Sequence, residues 1–102
     1  MRDKLLTLFL EINQLHFNFF VTKTDDQNNF NTVYKAYVPI VGFQNNNVTD
    51  FEKASSLIKE NIYLIEKKFN FTFKEVVLIF ENLSFKFLNI SGFKFKIKFF
   101  FN

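Results

Sequence analysis

Few residues in this sequence are of the types that carry out enzymatic chemistry. His16 is the sole histidine and there is no cysteine, which excludes disulfides, thiolate metal sites and a cysteine nucleophile. A single histidine with no obvious nucleophile beside it is typical of a strand end or a surface position. Asp25 and Asp26 lie in a polar tract and are expected to shape a turn, and Glu66 is expected to be a solvated helix residue. We therefore predict no catalytic, cofactor-binding or metal site, and no enzyme activity.

A second candidate for chemistry is the alternating tail FKFKIKFFFN, residues 93–102. Its apolar residues alternate with its lysines, Phe93, Phe95, Ile97 and Phe99 against Lys94, Lys96 and Lys98. In a strand this alternation sends rings and lysines to opposite faces, whereas a site for single-stranded nucleic acid needs both on one accessible face. An amphipathic edge strand, or a peptide never selected as structure, is the favoured interpretation. A small basic-aromatic module for single-stranded nucleic acid is the alternative.

Composition and charge limit the class of protein further. A length of 102 residues indicates one compact unit, and a hydrophobic share of 48% is ordinary for a folded domain. The 18 phenylalanines stand beside no tryptophan and two glycines; because Phe, Lys, Asn and Ile all have codons of A and T alone, we interpret this bias as genomic. The net charge of +3 is small and its lysines are dispersed, so a solvated surface is favoured over nonspecific binding to anions.

The N-terminal run MRDKLLTLFLEI could be mistaken for a signal peptide. Asp3 and Glu11 flank its apolar part, Thr7 interrupts it, and no small-residue cleavage site follows. It is also too short to span a bilayer. We interpret it as a strand buried on both faces and expect a cytoplasmic product.

Periodicity predicts an α+β fold in which an antiparallel meander of three strands precedes a helix and then two or three further strands; the resemblance described below implies that the second part is a strand-helix-strand-strand unit. Asn13-Gln14 is the expected first turn, and Pro39 should end the third strand or lie at an edge. VVLIF within residues 74–80 is typical of a buried central strand. The predicted strands are 5–12, 16–22, 32–38, 74–80 and 84–90, with turns at 81–82 and 91–92.

The segment VTDFEKASSLIKENIYLIEKKF predicts a helix of about 20 residues. Thr49 and Glu52 have the spacing of a capping box at its start, and Asn70 is suited to a left-handed stop. One apolar stripe recurs at steps of three or four residues. Its members are Phe51, Ala54, Leu57, Ile58, Ile62, Ile65 and Phe69.

Residues 42–92 resemble the entry to the 1C (SHS2) subdomain of the FtsA family, the actin-like bacterial division proteins. In that family a Gly precedes a short loop, a Val/Ile-x-Asp step opens a helix, and a β-branched strand and a return strand near Ser-Gly follow. This sequence has that order: Gly42, Val48, Asp50, the helix with Glu66, the strand 76–79 and Ser91-Gly92. The strands before Gly42 resemble the opening of the family's 1A subdomain. The resemblance implies three parts: 1–43, 44–92 and a divergent tail, 93–102.

The resemblance also indicates what this sequence lacks. The first hairpin of the family carries an Asp-x-Gly-Thr phosphate loop, and the corresponding positions here are Glu11, Ile12, Asn13 and Gln14. Without the glycine, backbone amides approach a phosphate less closely. The family's second phosphate loop, adenosine pocket and C-terminal membrane helix have no counterpart in the 102 residues. We therefore expect no cofactor in this fragment, although the full-length family binds ATP, and hypothesise a truncated or frameshifted product.

The FtsA family links the FtsZ ring to the membrane and recruits division proteins. The resemblance implies that this piece serves protein–protein interaction and filament contact rather than catalysis. Its expected partners are proteins of the division machinery and other copies of itself, without nucleic acid. The expected location is cytoplasmic; the full-length family lies at the cytoplasmic face of the inner membrane, at the division site.

Overall fold

The computed structural model describes residues 5–13, 15–44, 47–81 and 94–100, and of residues 47, 80, 81 and 94–100 it describes the backbone alone. One helix lies between two groups of strands, so the predicted α+β class is confirmed. The predicted strand 84–90 and the turns at 82 and 91–92 lie outside the described residues. The elements are β1 (Leu5–Ile12), β2 (His16–Thr24), β3 (Phe30–Pro39), β4 (Phe43–Gln44), β5 (Asn47–Val48), α1 (Phe51–Phe69), β6 (Glu75–Glu81) and β7 (Lys94–Phe100).

Five of the strands form one mixed sheet in the order β3-β2-β1-β6-β7. The strands β1, β2 and β3 pair antiparallel, which confirms the predicted meander. The parallel pairs are β1 with β6 and β6 with β7, so Leu8 lies opposite Val76. The sheet therefore crosses the predicted boundary between residues 43 and 44, and that division of the chain stays a prediction.

The core lies between one face of this sheet and α1. Alternate residues of β1 and β2 are fully buried there with the apolar stripe of the helix, as strand and helix periodicity require. The members of this core are Leu8, Leu10, Ile12, Phe17, Phe19, Val21, Ala54, Ile58, Ile62 and Ile65, with Phe73, Val76 and Leu78. Phe51 was expected in the stripe, but it is 41% exposed because it lies in the first turn of the helix, at its end.

The opposite side of the sheet, the second face, carries the intervening residues. On β6 both faces are buried, from Val76 through Ile79, which confirms the predicted central strand. On β1 the prediction of burial on both faces is wrong, because Phe9 and Glu11 are half-buried and Leu5 is exposed. Phe9 stacks on Phe20 of β2, with ring centroids 5.0 Å apart and planes 9° apart.

The helix begins one residue later than the capping box predicts. Asp50 is the N-cap, and its Oδ1 accepts a hydrogen bond from the N–H of Lys53 at 3.1 Å. The N–H groups of Thr49 and Asp50 both donate to the carbonyl of Gly42, at 2.7 and 3.0 Å, which fixes the approach of the chain to the cap. Asn70 ends the helix in the left-handed region with φ 51°, as predicted. No helix among the described residues combines the length and apolarity needed to cross a membrane.

Candidate functional site

The turn between β1 and β2 is the candidate functional site, because it occupies the place of the phosphate loop in the FtsA resemblance. Asn13 closes this turn with its own side chain. Its Oδ1 accepts hydrogen bonds from the N–H of Leu15 at 2.8 Å and of His16 at 2.7 Å, and its N–H donates to the His16 carbonyl at 3.2 Å. Such an Asx turn is a common way for Asn to stabilise a hairpin.

This arrangement determines what the turn can bind. Phosphate loops hold their ligand through backbone N–H groups that converge on the anion. In this turn the N–H groups of Leu15 and His16 converge on the Asn13 amide oxygen instead. The described part of the turn is an internally bonded hairpin, and a phosphate oxygen would have to compete with Asn13 for both donors.

The other positions aligned with the phosphate loop are separated by the strand alternation. Ile12 is fully buried in the core. Glu11 lies on the second face, where its Oε1 accepts a hydrogen bond from Nδ2 of Asn18 at 2.7 Å. The register pairs Glu11 directly with Asn18, so the two side chains meet across neighbouring strands. Gln14 lies outside the described residues.

His16 is the first residue of β2 and is half-buried, so the predicted strand-end position is confirmed. Its ring lies 6.3 Å from the ring of Tyr37, at an angle of 56°, and its N–H belongs to the Asn13 turn. Within the described residues, no three His, Cys, Asp or Glu side chains are placed to hold a metal ion.

The predicted turn role of Asp25 is confirmed between β2 and β3. Its Oδ1 accepts hydrogen bonds from the N–H groups of Gln27 at 2.8 Å and of Asn29 at 2.9 Å. Asn28, in the same turn, has a φ of 64°. The backbone hydrogen bond from Asn29, followed by that from Gln27, lowers the pKa of Asp25 because both donors favour the charged carboxylate. Asp26 follows within the turn.

The prediction that Glu66 is merely solvated is wrong. It is half-buried, and its Oε2 accepts a hydrogen bond from the N–H of Phe73 at 2.8 Å. Its own carbonyl accepts from the N–H of Phe71 at 3.1 Å. Sequence reasoning missed this bond because a surface Glu in the last helical turn is usually free of partners, and no local motif links Glu66 to Phe73.

Comparison with known proteins gives the fold. No family model matches the chain, and no curated protein sequence matches it. A solved structure that matches is the Aquifex aeolicus member of the Ppx/GppA protein family, with a TM-score of 0.60 and 9% sequence identity. The match covers 95% of this chain and 36% of that one, so the chain spans about a third of the neighbour's length. The chain therefore has an actin-like fold, which it shares with one part of that protein.

Proposed function

We propose that this chain acts through protein–protein contact, as part of an actin-like scaffold of the FtsA kind, and does not hydrolyse a nucleotide. The observation that carries the proposal is the closed β1–β2 turn. Asn13 occupies the N–H groups of Leu15 and His16, whereas a phosphate loop needs backbone N–H groups that are free to bind the anion. In this proposal the chain keeps the actin-like fold, and the hydrogen bonds to Asn13 take the place of the family's first anion-binding element.

The edge of the sheet offers a surface for such contact. β3 is the first strand in the sheet order, so its outer edge has no partner strand among the described residues. Phe30, Val33 and Tyr37 on this strand are 69%, 43% and 64% exposed. An open edge strand is a template for pairing with a strand of another chain. Pro39 ends the strand and Lys35 lies within it, which limits pairing to a partner in suitable register.

A second copy of this chain and proteins of the division machinery are the proposed partners. In this proposal residues 44–92 correspond to the FtsA family's 1C (SHS2) subdomain, which contributes to self-association. The site of action would be the cytoplasmic face of the inner membrane at the division site. The support for this assignment is the order of motifs from Gly42 onward together with the actin-like fold.

Sedimentation equilibrium of the chain tests the contact. We expect concentration-dependent association, weakened about tenfold or more by Val33→Lys, because a charge buried without a partner in a strand interface is costly. Leu64→Lys is the matched control, since Leu64 is 55% exposed on α1 and far from β3 in the sequence. A chain that stays monomeric at all concentrations, or that associates equally well as both variants, would contradict the proposal.

Calorimetric titration with ATP and Mg²⁺ tests the second half of the proposal. We expect no binding by the unmodified chain. Saturable binding of ATP, abolished by competition with pyrophosphate, would show that the turn opens to receive a phosphate and would overturn the proposal. Single-stranded DNA in the same titration distinguishes the nucleic-acid alternative, whose affinity would fall steeply with salt.

A further inference from the structure

We propose that the second face of the sheet holds a binding site for a small zwitterion, a free α-amino acid. The site is a half-open cavity of about 350 Å³ beside the Glu11–Asn18 pair, and it adjoins the β3 edge proposed for protein contact, since Tyr37 belongs to both. Small-molecule sites have volumes of roughly 300–1,000 Å³, so this cavity matches a small metabolite. Its lining residues are Glu11, Asn18, Phe20, Thr32, Lys35 and Tyr37.

Strand register brings these residues together. Glu11 of β1 lies opposite Asn18 of β2, which in turn lies opposite Tyr37 of β3. They form one row across three strands. Phe20 and Lys35 are paired in the next row along the same strands. The site is therefore built on a rigid sheet, with a carboxylate on one strand and an ammonium group two strands away.

One end of the cavity requires hydrogen-bond donors. Asn18 is only 9% exposed, and its Nδ2 is held by Glu11 at 2.7 Å. Its Oδ1 is buried and has no hydrogen-bond partner among the described residues. Buried polar atoms are nearly always paired in folded proteins, and an ionised Glu carboxylate accepts hydrogen bonds but cannot donate them. The Glu11 carboxylate therefore suits a ligand group with several N–H donors, such as an ammonium group, and the adjacent buried Asn18 oxygen would be paired if such a group reached it.

The other end of the cavity requires an anion. Lys35 is an exposed residue of the lining, and its ammonium group has donors and no acceptor. Phe20 also lines the cavity, and because its ring is stacked against Phe9 it offers an apolar surface of fixed orientation. The hydroxyl groups of Thr32 and Tyr37 both donate and accept.

Charge decides among the possible ligands. An anion alone would meet the Glu11 carboxylate, and a cation alone would meet Lys35. The described residues bring no three potential metal-ligating His, Cys, Asp or Glu side chains together. A ligand with an ammonium group, a carboxylate and a short apolar part between or beside them satisfies Glu11, Lys35 and Phe20 together, and a free amino acid is the simplest such molecule.

The experiment is calorimetric titration of the full chain with L-leucine, L-phenylalanine and L-glutamate, together with N-acetyl-leucine and leucinamide. We expect at least one free amino acid to bind. Blocking either charged end should weaken binding about tenfold or more, as for the loss of a hydrogen bond to a charged group. Glu11→Gln and Lys35→Met should have similar effects, because each removes one charge and keeps a side chain of similar size.

Lys59→Met, on the exposed side of α1, is the matched control and should bind as the unmodified chain does. Circular dichroism of each variant separates lost binding from lost folding. Asn18→Asp is a further variant, which adds a negative charge beside Glu11 and should not abolish binding of the ammonium group. Three results would overturn the proposal: no heat from any free amino acid at millimolar concentration, equal affinity for the blocked analogues, or binding unchanged in Glu11→Gln and Lys35→Met. Val33 is not among the lining residues of the cavity, so Val33→Lys distinguishes the loss of association through β3 from the loss of amino-acid binding.

Discussion

The Oε2 atom of Glu66 accepts a hydrogen bond at 2.8 Å from the N–H of Phe73, and this bond joins the last turns of α1 to the segment that enters β6. Phe73 is itself buried, and its ring lies 4.9 Å from that of Phe71. Because α1 and β6 pack on the same core, the length of this connection sets how the helix lies relative to the central strand. The Glu66 side chain thus ties the end of α1 to the segment that leads into β6.

Replacing Glu66 with Ala should destabilise the fold. The change leaves the Phe73 N–H without its acceptor in a buried position, which costs about 1–3 kcal/mol. Urea unfolding followed by circular dichroism measures the loss. Glu66→Gln keeps an amide oxygen that can accept the bond, so its effect should be smaller. Glu60→Ala, at an exposed helix position, is the control. Equal losses of stability from the substitutions at residues 60 and 66 would argue against a stabilising Glu66–Phe73 hydrogen bond.

The two candidate helix caps can be told apart by a matched pair of substitutions. Asp50→Ala removes the oxygen that accepts from Lys53 and should cost about 1 kcal/mol of stability, the usual effect of losing an N-cap. Thr49→Ala should change the stability little, because the contact of Thr49 with Gly42 is made by its backbone N–H. The free energies of unfolding of the two variants decide between the two caps. If Thr49→Ala destabilises the chain more than Asp50→Ala does, the capping box predicted from the sequence is correct instead.

Gly42 cannot be replaced without strain. Its φ is +76°, and a Cβ at this position would collide with the carbonyl oxygen of Asp50 and lie 2.9 Å from the Cβ of Ala54. Gly42→Ala should therefore destabilise the chain by about 1–2 kcal/mol from the left-handed conformation alone, with the collision adding to it. Thermal unfolding of this variant beside Ser56→Ala, at an exposed helix position, measures the effect. A melting temperature unchanged by Gly42→Ala would refute the turn geometry.

The turn at Asp25 should make stability depend on pH in the acid range. The Asn29 and Gln27 N–H groups lower the pKa of Asp25 in the folded state. The charged carboxylate then stabilises the fold above the unfolded pKa of about 3.9, and this contribution is lost as the pH falls through the lower folded pKa. Asp25→Asn should remove that part of the pH dependence, measured as urea midpoints between pH 2 and 6.

The pH dependence of the stability lost in Asp25→Asn tests the sign of this effect. The difference in stability between Asp25→Asn and the unmodified chain should be constant above about pH 5 and shrink below the unfolded pKa. Glu60→Gln serves as the control because Glu60 is exposed on α1. A difference that grows as the pH falls would have the wrong sign and would show that the turn does not favour the ionised Asp25.

Local patterns predicted the elements well but not their partners. The bounds of β1 and the inward stripe of α1 follow from periodicities of 2 and 3.6 residues, and VVLIF identified the strand that is buried on both faces. The parallel pairing of Leu8 with Val76 did not follow, because alternation in a strand states which face is apolar and not which strand lies beside it. Each strand shows its own apolar alternation independently of the other, so this pattern cannot identify a pairing partner that lies far away in the sequence.

The candidate site was less predictable than the fold. Asn13 was identified as a turn residue, but the capture of two N–H groups by its side chain depends on the hairpin register. The Glu11–Asn18 bond joins residues on different strands, and the sequence spacing between them is meaningful only once β1 and β2 are paired. Thr49 and Asp50 both have capping oxygens, so spacing alone did not decide that Asp50 is the cap, and it did not predict that both N–H groups donate to the Gly42 carbonyl.

The position of β1 between β2 and β6 has a consequence for synthesis on the ribosome. The hairpin of β1 and β2 is complete early, but Leu8 acquires its partner Val76 only after the helix has been made. At synthesis rates of about 5–20 residues per second, several seconds pass between the synthesis of β1 and that of β6. During this time the edge of β1 that will pair with β6 has no partner strand in the nascent hairpin. We therefore expect a chaperone that recognises extended apolar segments to compete with folding during that interval.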